Sequence, residues 1–254
     1  MFIYHPVENL AALVVVRVLR QHDSPGKALD CCHEFTVGRE NGPVAVFPNE
    51  AFTFYEGLSA DNSKTYWTAH KDVYERAVRE PMRELLEKLA PAFEAEVALF
   101  RPYRDVRFSK DKSPYKTAQG GFLEVEPGVG YYIQVDAEGV LVGGGFHPHE
   151  RSQTTRFRAA VDNPATGAEI EAITAKLAKA GFEIGGNQVA TRPRGVPADH
   201  PRLDLMRREY LTVGRHPAPE EITIAAVQKD WRKLKPLITW VLSNAAPHDR
   251  GDPS

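Results

Sequence analysis

Between Phe100 and Lys116 the chain sets six basic residues, Arg101, Arg104, Arg107, Lys110, Lys112 and Lys116, against two acids, Asp105 and Asp111. The three arginines recur every third residue, a spacing that shares one face on a helix and alternates faces on a strand. A guanidinium offers a rigid fork of donors matched to phosphate or carboxylate, and lysine adds a compact charge. Tyr115 brings a hydroxyl. Together these residue types suit an oxyanion. Arg101, Arg104, Arg107, Lys112, Tyr115 and Lys116 are therefore the expected ligand contacts, with Asp105 as an orienter or base. The bland alternative is a solvated basic loop oriented by Arg–Asp pairs.

A second constellation lies downstream. His200 stands between Asp199 and Pro201 and could exchange protons near neutral pH, with an adjacent carboxylate to orient it. The same Asp-His-Pro run also suits a helix start. His147 and His149 have a spacing that serves a metal on extended chain, yet only Glu150 adjoins them, so no metal site is expected. Gly143-Gly144-Gly145 lacks the lysine ending and glycine spacing of a phosphate loop, and reads as a bulge or a close approach of backbone or ligand. No Gly-x-Ser-x-Gly elbow is present. Cys31 and Cys32 are adjacent, an arrangement that strains a disulfide, so they read as reduced thiols.

The pattern Arg-x-x-Arg-Asp-x-Arg-Phe-x-x-x-Lys-x-x-Tyr, at Arg101, Arg104, Asp105, Arg107, Phe108, Lys112 and Tyr115, resembles the bacterial family termed domain of unknown function 2461. Asn62 with Trp67, His70, Lys71 and Tyr74 resembles its N-terminal helix. Gly130-Tyr131-Tyr132-Ile133 resembles its Gly-Tyr-Tyr strand. Pro193-Arg194-Gly195, Asp199-His200-Pro201 and Leu205-Met206-Arg207 resemble its later motifs. The likeness runs from about Phe52 to Leu242. Ser63 and Thr68 depart from the family's usual residues. The resemblance implies a fold and a place for a site, but no activity and no cofactor.

The elements that must carry these residues can be read from periodicity. Helices are expected over Phe52–Ala60, from a cap at Asn62 or Ser63 to Glu80, and from Pro81 with Met82, Leu85, Leu86, Leu89 and Phe93 on one face. Strands are expected at Phe122–Val125, Tyr131–Val135 and Val140–Phe146, with a hairpin turn at Asp136–Gly139. Two more helices, His149–Val161 and Gly167–Lys179, follow, the second ended by Gly181. Then come short strands at Phe182–Ile184 and Tyr210–Val213, a short helix over Pro201–Arg208, and a last helix opened by Pro219 and kinked at Pro236. No strand–helix alternation appears. The expected class is α+β, a single domain with a mostly antiparallel sheet flanked by helices.

The chain has 254 residues, 32 lysines plus arginines, 34 aspartates plus glutamates and a formal charge of −2. Such a balance argues against indiscriminate binding to nucleic acid or anionic membrane. The apolar run Leu10–Leu19 is too short to span a bilayer and lacks signal-peptide flanks. A cytoplasmic protein is expected, with residues 1–47 as an extension carrying the short strand of Val14 to Val18, residues 48–245 as the domain and 246–254 as a flexible tail. The function expected is binding of an anionic, conceivably phosphorylated, small molecule, with Asp105 and His200 as the catalytic candidates if it is an enzyme. The alternative is a non-catalytic module that holds nucleic acid or an acidic protein partner, with Tyr103, Phe108 and Tyr115 able to stack bases.

Overall fold

A computed structural model describes residues 45–107 and 109–246. The expected strand at Val14–Val18, the two cysteines and Phe108 lie outside these residues. Docked chain begins ahead of the expected boundary at 48. Phe47 is buried, and the Val46 N–H donates to the Ile222 carbonyl at 2.7 Å.

The described residues open with helices α1 (Asn49–Ala60), α2 (Lys64–Ala69) and α3 (Lys71–Val73), a π-helical turn (Tyr74–Arg79) and α4 (Glu80–Phe93). Ser63, not Asn62, caps α2, its Oγ accepting the Tyr66 N–H at 3.1 Å. Pro81 does not separate two helices as expected. The Glu80 N–H reaches back five residues to the Glu75 carbonyl, and Pro81, without a donor of its own, sits in the first turn of α4. Met82, Leu85, Leu86 and Leu89 are buried along one stripe of α4, as the spacing requires.

The sheet then forms from β1 (Glu96–Leu99), β2 (Ala118–Glu126), β3 (Val129–Asp136) and β4 (Val140–Phe146). After α5 (Arg151–Asp162) and α6 (Pro164–Lys179) come β5 (Glu183–Gly185), α7 (Leu203–Met206), β6 (Leu211–Arg215), a 3₁₀ turn (Pro219–Glu221) and α8 (Ile224–Asn244). The six strands are ordered β1-β2-β3-β4-β6-β5, and every pairing is antiparallel. The class is α+β, as periodicity indicated. The β3–β4 turn carries the chemistry foreseen for it: Asp136 Oδ1 accepts the N–H groups of Glu138 and Gly139, and Gly139 has φ +140°.

Two details differ from expectation. β1, with only four residues at an edge, shows no pattern that marks it in sequence. Pro219 opens a 3₁₀ turn, and α8 begins later at a Thr223 cap, whose Oγ1 accepts the Ala226 N–H.

Alternation gives the sheet two unlike faces. Leu123, Tyr131, Ile133, Val140, Val142, Phe146, Leu211 and Val213 point into the core beneath α4 and α8. On this side Trp231 of α8 donates to the Tyr132 carbonyl, and Phe93 of α4 packs on Tyr131 at 4.5 Å between ring centroids. The other face is open. Among the described residues, sheet residues and connecting loops line it, and no helix does.

Candidate functional site

The basic segment is a long excursion between β1 and β2. Its two arms pair through a bridge between Tyr103 and Tyr115, with the Arg104 N–H on the Pro114 carbonyl and the Lys116 N–H on the Pro102 carbonyl. Two residues of the helical motif fasten it. Asn62 brackets the Tyr115 backbone, its Nδ2 donating to the Tyr115 carbonyl and its Oδ1 accepting the Tyr115 N–H, both at 3.1 Å. Trp67 stacks on the Tyr115 ring at 4.4 Å and 8°. The motif residues at 62–74 and at 101–115 are thus parts of one structural joint. Tyr74 extends it by donating to Gln119 Oε1 at 2.6 Å.

This joint decides how the expected ligand residues stand. Tyr115 is 5% exposed, and its ring serves as the anchor of the excursion. Arg104 pairs with Asp111, and Arg107 pairs with Asp105 at 2.6 Å. Lys112 donates to the Val106 carbonyl at 2.8 Å. The hydrogen bond from Arg107 holds the Asp105 carboxyl down to about 2, and Ser113 and Arg104 do the same for Asp111. Asp105 is therefore a firmly ionised partner of Arg107. Arg101 and Lys116 differ from the rest: among the described residues neither side chain makes an ion pair or a hydrogen bond. Lys116 lies over the Phe100 ring, its Nζ 5.6 Å from the centroid, and burial with the nearby Arg101 charge lowers its pKa.

His200 stands elsewhere. The excursion leaves edge strand β1, whereas residues 186–210 leave the other end of the opposite edge strand, β5. His200 Nδ1 accepts the Arg202 N–H at 3.0 Å, so the ring hydrogen sits on Nε2 and is donated to Asp162 Oδ1 at 3.0 Å. The carboxylate that orients it is Asp162 of α5, not Asp199. Both nitrogens are engaged in joining α5 to the α7 approach, and the structure does not bring His200 to the basic segment. Glu150 likewise serves α5 as the N-cap of a capping box with Gln153. Among the described residues, no group of three or more His, Cys, Asp or Glu could hold a metal ion.

A feature that sequence reading missed is a trough on the open face, with a volume of about 370 Å³. Register explains it. One row across the sheet reads Phe122, Tyr132, Gly143, Gly214 and Glu183, and the next reads Glu124, Gly130, Gly145, Thr212 and Gly185. Aromatic walls thus stand on β2 and β3, while the floor on β4 and β6 has glycine at 143, 145 and 214, with the Leu141 Cδ1 methyl lying over Gly214. Phe100 closes one end by folding over Gly120. The other end holds Tyr210, His147 and His149.

The triple glycine now has a physical reason. A Cβ at Gly143 would lie 2.4 Å from the Val213 carbonyl oxygen, so the close approach inferred from sequence is that of the neighbouring strand. Titratable groups of the trough meet at its histidine end. His149 Nε2 lies 4.0 Å from Glu124 Oε1, which also accepts the Gly128 N–H. The His147 ring packs on Tyr210, and burial, with His149 nearby, lowers its pKa and favours the neutral ring. The His147–His149 spacing was the available signal. The Gly143–Gly145 run of the floor was a second signal, whereas the walls gave none, because their residues are scattered over several strands.

Residues 50–240 match the family DUF2461, described as a conserved hypothetical protein. The chain belongs to this family. No curated protein matches it. Among the described residues, no helix is long and apolar enough to cross a membrane.

Proposed function

We propose that the protein binds a small anionic molecule in the open-face trough, with the anionic group turned toward Lys116 and Arg101. The observation that carries this reading is the state of Lys116. It is a half-buried ammonium at the Phe100 rim with no carboxylate partner among the described residues, while Arg104 and Arg107 already have theirs. A partly desolvated cation gains from an incoming anion, and the trough supplies the apolar enclosure that small-molecule sites have. Of the six expected ligand contacts, this reading keeps Arg101 and Lys116 as contacts and gives Arg104, Arg107, Lys112 and Tyr115 the work of shaping the loop.

Melting the protein with phosphate, sulfate and sugar phosphates tests the proposal. At 100 times its dissociation constant, a bound anion raises stability by about 2.7 kcal/mol. Lys116→Ala is expected to remove most of that gain and Arg107→Ala to leave it. An anion response that survives in the Lys116→Ala and Arg101→Ala double variant overturns the reading.

A second reading rests on Tyr103, which packs beside Trp67 and Tyr115 yet is 50% exposed within the basic segment, leaving ring surface on which a base could stack. It requires salt-sensitive binding of single-stranded oligonucleotides that is lost in Tyr103→Ala, measured by fluorescence anisotropy.

A further inference from the structure

The groups that border the trough carry a charge opposite to that of the basic excursion. Among the described residues, no lysine or arginine lines it, whereas two carboxylates, Glu124 and Glu183, do. Three histidines, His147, His149 and His216, also border it, and burial favours the neutral ring at His147. What these groups select goes beyond the anion reading and does not rest on it, because Lys116 and Arg101 are not part of this lining.

Glu124 is the acid whose hydrogen bonding is least complete for its burial. Its side chain is 15% exposed, so most of its hydration is lost. Oε1 accepts the Gly128 N–H at 3.0 Å and lies 4.0 Å from His149 Nε2, beyond hydrogen-bond length. Among the described residues, Oε2 receives no donor, and neither oxygen meets a lysine or arginine. A largely desolvated carboxylate with a single backbone donor gains from a second donor, and most from a cationic one.

The carboxylate is also held in place. Gly128 has φ +77°, and a Cβ there would lie 2.1 Å from the His147 carbonyl oxygen. The His147 N–H donates to the Gly128 carbonyl at 2.7 Å. The turn whose N–H fixes Glu124 is thus tied to the end of β4, and the acid is oriented before any ligand arrives.

Aromatic surface adjoins it. Phe122 lies two residues earlier on the same face of β2, and its ring reaches over Gly130, the cross-strand partner of Glu124. The Tyr132 hydroxyl is committed to Gln134, so Tyr132 offers the trough a ring rather than a donor. Aromatic rings attract ammonium groups and accept the carbon attached to them. The need left at Oε2 is for an N–H, which a quaternary ammonium lacks and a primary ammonium has.

We propose that the trough binds a small primary amine with an apolar body. Its ammonium donates to Glu124 Oε2, and its carbon skeleton lies against Phe122 and Tyr132. A cavity of about 370 Å³ lies within the range of small-molecule sites.

Phenethylamine, phenethyl alcohol and phenylacetate share a body and differ in charge. In thermal-shift titrations of the full chain, the amine is expected to bind about tenfold tighter than the alcohol, and phenylacetate no tighter than the alcohol. Glu124→Gln, which keeps an acceptor for the Gly128 N–H, is expected to bring the amine down to the level of the alcohol and to leave the alcohol unchanged. Glu183→Gln, at an exposed position, is expected to change the amine less than Glu124→Gln does. In the unaltered chain, the Gly128 amide is expected to shift in the nitrogen–proton NMR spectrum as amine is added, which covers the case in which Glu124→Gln misfolds.

An amine that binds no tighter than the alcohol, or that is indifferent to Glu124→Gln, overturns the inference. So does a Gly128 resonance that stays still at saturation. His149→Ala is expected to leave amine binding in place. A loss there as large as in Glu124→Gln would make the carboxylate a partner of His149 and overturn the inference as well. Lys116→Ala is expected to leave the amine response intact and Glu124→Gln to leave the phosphate response intact, so the amine and anion readings stand or fall separately.

Discussion

The basic excursion at 100–117 and the open-face trough are opposite kinds of region. The excursion concentrates its charged residues in one stretch of chain, and both of its carboxylates and two of its six cations are spent within the stretch, on the Arg104–Asp111 and Arg107–Asp105 pairs. The trough draws residues from five strands and their loops, several of them glycines, and leaves Glu183 without an ion pair among the described residues. Local density of chemistry in a sequence therefore marks where groups can satisfy one another. Unspent chemistry collects where the fold brings distant residues around a space.

If this contrast is right, variants of the excursion's anchors act on stability, whereas variants of the trough floor act on binding. The largest effect is expected at Trp67, buried in the core and stacked on Tyr115. Trp67→Ala is expected to cost about 3–5 kcal/mol in chemical denaturation, in line with large-to-small core changes. A loss below about 1 kcal/mol would show that the joint between helix and excursion is not part of the core.

Asn62→Ala comes next. It removes both hydrogen bonds that bracket the Tyr115 backbone, and the N–H and carbonyl left behind raise the expected cost to about 1–3 kcal/mol. Hydrogen exchange should localise the damage, with faster exchange at Tyr115 and unchanged exchange in β4. Uniform acceleration across the sheet would mean that the excursion and the trough are one cooperative unit.

The smallest effect belongs to the ion pairs themselves. Arg107 is 77% exposed, and an exposed pair contributes little. Arg107→Ala is expected to leave the melting temperature at neutral pH within error. The pH dependence has a definite sign. Asp105 and Asp111 have carboxyl pKa values lowered from 3.8 to about 2 in the folded protein. Their small contribution is complete above the unfolded value and is lost as pH falls from near 4 toward 2. Carbon-detected NMR titration should place both midpoints near 2. Midpoints near 3.8 would show the two carboxylates free, and the basic excursion unspent.

Much of the architecture was legible before any coordinates. The stripe of Met82, Leu85, Leu86 and Leu89 marks α4, and the turn chemistry of Asp136–Gly139 marks the β3–β4 hairpin. Both depend on neighbours within a few residues. β1 was not legible, because four residues at an edge carry too little pattern. Pro81 misled because a π turn upstream lets the helix continue through a residue that ordinarily starts one.

By itself the sequence determined the α+β class, the antiparallel hairpins and the family likeness, and it marked Gly143–Gly145 as a bulge or a close approach of backbone or ligand. These follow from periodicity, turn residues and the missing Cβ, which act locally. Tertiary structure alone decided that Tyr115 is an anchor and that His200 is held by Asp162. It also decided that Gly130, Gly145 and Gly214 share a sheet face with Phe122 and Glu183. The reason is register: which residues become neighbours across a sheet depends on how strands align, and one residue of slip would turn each of these side chains to the opposite face.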